Sequence, residues 1–212
     1  MAERTQADLA YNELSHRILI LEIPPDDRIV EEFWADKLGV NRSAIREALT
    51  RLLGEGLVRR GERGGFFVSE MSDAEIHQIR ELREIFETAA FALACERATA
   101  QQLDAIAETV EDFASFVKKG YFTAAHEADL RFHHLLMAAS GNPRLAQLYE
   151  RSRIPLFQRK AARARAHPEN FELTEKEHRA ILDALRKRDK RRGVEQLRAH
   201  FNRGERDALE RA

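Results

Sequence analysis

The sequence predicts a mainly α protein in two parts: an N-terminal winged helix-turn-helix and a C-terminal all-α antiparallel helical bundle. Three observations carry this. Two short helical segments meet at a glycine turn, Gly39; β-type segments 57–60 and 66–69 flank turn material at 61–65; and beyond Met71 the apolar residues recur at helical spacing. A length of 212 residues suffices for two compact domains, since a typical one takes roughly 100 to 150 residues. The expected division is 5–70 and 72–210.

Residues 8–23 place Leu9, Leu14, Ile18, Leu19 and Leu21 at helical spacing and stop at Pro24-Pro25, which defines a first helix. Residues 30–38 read as a second helix with Phe33, Trp34 and Leu38 facing inward and Gly39 as a left-handed cap. Asn41 suits the N-cap of a third, in which Ile45, Ala48 and Leu52 share one face and Arg42, Ser43, Arg46 and Thr50 the other. A hairpin over 57–60 and 66–69 follows, and a boundary falls at Met71. Ser72-Asp73-Ala74-Glu75 then reads as a capping box. The helix it opens, to Arg97, carries Ile79, Leu82, Ile85, Phe86, Ala89, Ala90, Leu93 and Ala94 on its apolar side. Thr99 caps the next, 103–119, which Gly120 ends; a further helix over 123–139 stops at Ser140-Gly141-Asn142-Pro143. Another covers 145–166 with a bend at Pro155. Thr174-Glu175-Lys176-Glu177 reads as a second capping box opening a helix to Arg188, and a last helix covers 190–209. Helices joined by short loops, with no strands, make a bundle.

Hydrophobic residues at 43% and charged residues at 33% exclude a disordered or collagen-like chain. No apolar run approaches the roughly 20 residues that span a bilayer, and residues 1–8 lack a basic segment followed by an apolar core, so a cytoplasmic location and no membrane partner are expected. The single cysteine, Cys95, excludes an internal disulfide and a Cys-based zinc site, so any metal must be held by His and carboxylate. Net charge is −1, but it is unevenly spread. Residues 1–40 have four basic and nine acidic side chains, residues 41–63 six and three, and residues 151–212 eighteen and ten. The positive window at 41–63 coincides with the third helix and the hairpin; the basic C-terminal third suits a solvated helix face or a second nucleic-acid-binding surface.

Arg42 and Arg46 sit one turn apart on the exposed face of the second helix of the helix-turn-helix, near its N-terminus. Arginine there can pair with guanine O6 and N7, and the helix end favours phosphate. Arg63, Gly64 and Gly65 form the wing tip, where glycines let the backbone approach a phosphate. An Arg pair at i, i+4 also occurs on ordinary solvated helices; the hairpin behind the helix favours double-stranded DNA. The run Arg28-Ile29-Val30-Glu31-Glu32, then residues 38–49 (Leu-Gly-Val-Asn-Arg-Ser-Ala-Ile-Arg-Glu-Ala-Leu), Leu52, Glu55-Gly56-Leu57-Val58 and Arg63-Gly64-Gly65-Phe66-Phe67-Val68 resembles the DNA-binding domain of GntR-family bacterial transcriptional regulators. The resemblance implies that Arg42 and Arg46 read operator bases, that the Arg63, Gly64 and Gly65 tip lies against the minor groove, and that Arg28, Asn41 and Ser43 share the DNA-binding surface. Ala44 replaces a proline common in the family, at an early helix position that tolerates either.

Asp129 and His133, at i and i+4, stack on one helix face with a spacing suited to two ligands of one metal. His178 and His200 lie on later amphipathic helices, and facing helices are how bundles build metal sites. Three imidazoles and a carboxylate suit zinc first, and also nickel, manganese or iron; spacing alone equally allows four core or surface polar residues. Asp129-Leu130-Arg131-Phe132-His133, Ser140-Gly141-Asn142, Glu177-His178-Arg179-Ala180-Ile181, Asp189, Leu197 and His200 together are similar to the metal-binding version of the FadR-subfamily C-terminal ligand-binding (FCD) domain. That resemblance implies that Asp129, His133, His178 and His200 hold the metal, and that Arg83 binds the carboxylate of a small organic acid effector, although an i, i+4 salt bridge with Glu87 suits Arg83 as well. Gly193 stands where alanine is usual, at a cost of about 1 kcal/mol in helix stability. His126 shares nearly the face of His133 and rivals it on spacing, against the family pattern; His134 points about 100° away; His16, His77 and His167 read as surface residues.

The reading that follows is a homodimeric, ligand-responsive regulator whose recognition helices enter successive major grooves of a palindromic operator, with the effector altering their spacing. Two alternatives stand beside it. A metal-dependent hydrolase needs a general base, and no HExxH-like motif supplies one; a metal that merely staples the bundle predicts no effector response.

Overall fold

The computed structural model describes residues 5–19, 22–70, 72–152 and 169–209. The chain divides into two compact units, Met1–Ser72 and Asp73–Ala212.

In the first unit α1 (Gln6–Leu19) is followed by β1 (Arg28–Ile29), α2 (Glu31–Leu38), α3 (Arg42–Gly54), β2 (Val58–Arg60) and β3 (Phe66–Val68). Thr5 and Asp8 open α1 with reciprocal hydrogen bonds, the Asp8 amide donating to Thr5 Oγ1 at 3.1 Å and the Thr5 amide to Asp8 Oδ2 at 3.2 Å. Ala10, Leu14 and Ile18 are buried against Ile45, Ala48, Leu49 and Leu52 of α3, whereas Leu9 stays exposed and outside that core. Gly39 takes φ +64°, the left-handed cap expected of it, and Asn41 Oδ1 accepts the Ala44 amide at 2.8 Å. Phe33 is not a core residue: it is 56% exposed and meets the buried Trp34 edge-on, with ring centroids 5.4 Å apart. Adjacent positions on a helix differ by about 100°, so an eight-residue helix that turns Trp34 and Ala35 onto the core leaves Phe33 outside. The hairpin gains a third strand, since β1 pairs antiparallel with β3 in a sheet of order β1-β3-β2, with Ile29 opposite Phe66.

In the second unit the described helices are α4 (Asp73–Arg97), α5 (Ala100–Lys118), α6 (Phe122–Ala139), α7 (Pro143–Ser152), α8 (Glu169–Arg186) and α9 (Lys190–Leu209). Thr99 and Gln102 cap α5 reciprocally, and Gly120 and Gly141 take φ of +72° and +63° in the turns after α5 and α6. Phe91, Ala94, Ile106, Phe132, Leu136, Ile181, Leu185 and Leu197 form the main core among α4, α5, α6, α8 and α9. The helix expected past Ser152, with its bend at Pro155, lies outside the described residues.

Two expectations fail here for an identifiable reason. Thr174 does not start a helix: α8 runs through it from Glu169, and its hydroxyl donates to the Asn170 carbonyl at 2.9 Å while accepting from Arg203. A threonine inside a helix can bond back to the carbonyl four residues earlier, so a capping-box sequence does not require a cap. The apolar side read for α4 is also displaced. Of its eight members only Ala90 and Ala94 are buried, Leu82 and Ile85 are 42% and 65% exposed, and the buried stripe instead includes Arg83 and Glu87.

Gly193 carries a close approach rather than a mere helix penalty. A Cβ built there would lie 1.9 Å from Phe91 Cζ. We expect Gly193→Ala to destabilise the bundle by about 1–3 kcal/mol, overpacking outweighing the helix propensity gained; a urea midpoint at or above that of the parent protein would contradict this. Arg188, at φ +55°, turns out of α8 and donates to the carbonyls of Ala94, Cys95 and Ala98, closing the end of α4 from another element.

Candidate metal centre and DNA-binding face

Asp129 and His133 project from one face of α6, as their i, i+4 spacing dictates, and His178 of α8 and His200 of α9 meet them in the bundle interior. One donor atom from each of the four lies within 4.8 Å of the others, and none of the four residues is more than 5% exposed. Asp129 Oδ1 is 3.3 Å from His178 Nε2 and 3.7 Å from His133 Nε2. The His178 ring stacks on Phe132 at 4.1 Å and meets Phe113 edge-on at 5.6 Å, so aromatic walls exclude water on that side. His133 Nε2 is buried and makes no hydrogen bond, a costly state that a bound cation removes. The residues therefore fit a divalent metal: borderline nitrogen donors and one carboxylate, converging, buried and without thiolate. His126 is buried too, with Nδ1 3.9 Å from Asp129 Oδ2, but the converging donor set does not include it.

Two glutamates behind the histidines complete this arrangement. Glu87 Oε2 takes His133 Nδ1 at 2.5 Å, while Oε1 accepts from Arg83 Nε at 2.8 Å and from the Tyr149 hydroxyl at 2.7 Å. Burial by itself would raise the Glu87 carboxyl; the Arg83 guanidinium, with the hydrogen bonds from His133 and Tyr149, outweighs it and holds the carboxyl well below its ordinary range. Glu177 Oε2 takes His200 Nδ1 and accepts from Arg203 Nη2, each at 2.7 Å, while its Oε1 accepts from Arg203 Nε at 2.7 Å. Burial opposes ionisation there as well, and the hydrogen bonds from Arg203 and His200 pull the carboxyl down to about 2. Neither glutamate stands out as a site residue in the sequence, where Glu87 reads as a helix salt-bridge partner and Glu177 as part of a cap. Arg83 is 3% exposed, bound to Glu87 as the salt-bridge alternative requires, with its guanidinium carbon 4.7 Å from the Phe201 ring centroid. With Ile76, Arg80, Phe201 and Gly204 it lines a small cleft between α4 and α9.

In the first unit Arg42, Ser43 and Arg46 are all exposed on α3. The Arg46 side chain is 65% exposed and its Nε donates to Glu31 Oε2 at 2.6 Å. Asn41 caps α3 and donates from Nδ2 to Gln6 Oε1 at 2.7 Å, which ties the start of α3 to α1. Gly64 and Gly65 take φ of +86° and +84° at the wing tip, beside exposed Arg63. Arg28 packs along Gly65, where an added Cβ would sit 3.3 Å from Arg28 Nε.

A family profile described as the FCD domain matches residues 78–203, and one described as bacterial regulatory proteins of the gntR family matches residues 6–68. The chain is 29% identical over 194 residues to the HTH-type transcriptional regulator YdhC of Bacillus subtilis (strain 168), covering 91% of this chain and 86% of the relative. It is 27% identical over 187 residues to the HTH-type transcriptional regulator McbR of Escherichia coli (strain K12), covering 84% and 81%. Among solved structures, E. coli McbR/YncC superposes with a TM-score of 0.83 at 23% identity over 94% of each chain. A GntR transcriptional regulator from Rhodococcus sp. RHA1 gives 0.83 at 20% identity, over 96% and 97%. At such identities the likeness of the structures is one of fold. Among the described residues no helix is long and apolar enough to cross a membrane.

Proposed function

Because this chain belongs to the GntR family of bacterial transcriptional regulators that carry an FCD domain, a family of regulators and not of enzymes, we propose that it is a cytoplasmic, FadR-type, ligand-responsive regulator. In this reading it binds a palindromic operator as a homodimer through the DNA-binding unit, residues 5–70. A small organic acid bound at a metal in the helical unit, residues 72–210, modulates its affinity for DNA. The observation that carries the proposal is the buried Asp129, His133, His178 and His200 group. Those four residues would hold the ion, zinc by preference of the donor set, with nickel, manganese or iron as substitutes. When bound, the ion supplies a Lewis acid able to take a carboxylate or hydroxyl oxygen. Arg83 supplies a charge-assisted partner for the same carboxylate from α4, the helix that opens the second unit.

On the DNA side, Arg42 and Arg46 would reach base edges, Asn41 and Ser43 the backbone at the helix N-terminus, and Arg28, Arg63, Gly64 and Gly65 the wing contacts. The exposed apolar line of Leu82, Ile85 and Ala89 on α4 supports the dimer, because a helix face of this kind is covered in a stable assembly. We expect Ile85→Glu to convert the dimer to a monomer in light scattering and to weaken operator binding more than tenfold; an unchanged mass would remove α4 from the interface.

The test of the whole reading is linkage. With zinc-loaded protein and a panel of small hydroxy and dicarboxylic acids, the effector raises the melting temperature in proportion to the logarithm of its concentration. It also changes operator affinity in a gel shift, and operator DNA changes the affinity for that acid by the same factor. Equal acid affinity with and without operator would overturn the effector role. No thermal response to any acid would favour an ion that only staples the bundle.

A further inference from the structure

Behind the candidate metal ligands the structure repeats one motif twice. Arg83, Glu87 and His133 form one chain of contacts from α4 to α6; Arg203, Glu177 and His200 form a second from α9 to α8 and back. In both, an arginine engages a glutamate, and the glutamate faces Nδ1 of a histidine that belongs to the converging group. An ionised carboxylate only accepts hydrogen bonds, so the nitrogen facing it must carry the proton. A neutral imidazole has one N–H, and its other nitrogen then presents a lone pair. With Nδ1–H committed to the glutamate, Nε2 is left as the ligating atom.

We propose that Glu87 and Glu177 are positioning residues for the metal: each fixes the tautomer and ring orientation of one histidine, His133 and His200 respectively, so that both present Nε2 to the ion. The inference rests on the metal-site reading above and adds to it the two residues that make the site selective for one coordination mode. The arginines complete the device, since an unpaired glutamate beside a cation could turn inward and become a ligand itself. Arg83 and the Tyr149 hydroxyl hold Glu87 Oε1, and Arg203 spans both oxygens of Glu177. His178 is oriented differently, by stacking on Phe132.

The experiment measures the zinc dissociation constant of the full chain by competition with a chromophoric chelator, for the parent protein, Glu87→Gln and Glu177→Gln. Alongside it, ¹⁵N ring shifts of zinc-loaded protein report which nitrogen of each histidine is coordinated. We expect each variant to bind zinc about 10- to 100-fold more weakly, the usual cost of losing such an outer carboxylate, and the ¹⁵N spectrum of the affected histidine to lose its pure Nε2-bound, Nδ1-protonated signature. A merely structural role would lower the melting temperature and leave both readouts in place. Glu87 is fully buried against Arg83, so if Glu87→Gln does not fold, the test rests on Glu177→Gln, whose side chain is 19% exposed. Parent-like zinc affinity and ring signature in folded Glu177→Gln would overturn the inference while leaving the metal site intact. Failure of the parent protein itself to bind zinc or any substitute ion would overturn both.

Discussion

Changing His133, His178 and His200 together to alanine should take the metal content of the purified protein from about one divalent ion per chain to none. The three rings supply most of the donor set, and the remaining ligand, Asp129, cannot retain an ion alone in a site walled by Phe113 and Phe132. Mass spectrometry of the protein for metals reads the result directly. A second readout is thermal. An ion that binds only the folded chain stabilises it by about 2.7 kcal/mol when present at 100 times its dissociation constant, so added zinc should raise the melting temperature of the parent protein and leave that of the triple variant unmoved. Equal metal content in parent and variant would place the ion elsewhere; no metal in either would remove the metal from the effector site and leave the DNA-binding reading standing.

Arg46→Ala should weaken specific operator binding by roughly 1–3 kcal/mol, about 5- to 150-fold, with little loss on scrambled DNA. Arg46 donates Nε to Glu31 and is otherwise largely exposed, so the ion pair aims the guanidinium while leaving its Nη groups for a base. An exposed pair of this kind is worth at most about 1 kcal/mol, too little to hold the side chain away from DNA. Lysine should not rescue the loss, because a point charge cannot reproduce paired hydrogen bonds to guanine. Fluorescence anisotropy on operator and scrambled duplexes at one fixed salt concentration separates specific from general binding. Equal loss on both sequences would assign Arg46 to phosphate rather than to a base, and no loss would exclude it from the interface.

Much of this was legible in the sequence because it is written over short distances. The glycine turn at Gly39, the Asn41 cap and the buried face of Ile45, Ala48 and Leu52 depend on residues within a few positions of each other, and the structure has them as read. The stacking of Asp129 and His133 follows from 3.6 residues per turn alone. Where a short element needs a distant partner, local pattern is silent: β1 is two residues long and exists because β3 pairs with it. The cap read at Thr174 failed for a related reason, since its glutamate is taken by Arg203 and His200 from α9.

By itself, then, the sequence determined the two-part helical architecture, the exposed arginines of α3 and the helix faces bearing the four candidate ligands. Only the tertiary structure decided which face of α4 is buried, and that Glu87 and Glu177 stand behind the histidines. Hydrophobic periodicity assigns an arginine and a glutamate to solvent, because burying either alone costs several kcal/mol. Arg83 and Glu87 enter the interior because His133, Tyr149 and each other supply the compensating hydrogen bonds, and the partners beyond α4 come from positions 46 and 62 residues further along the chain.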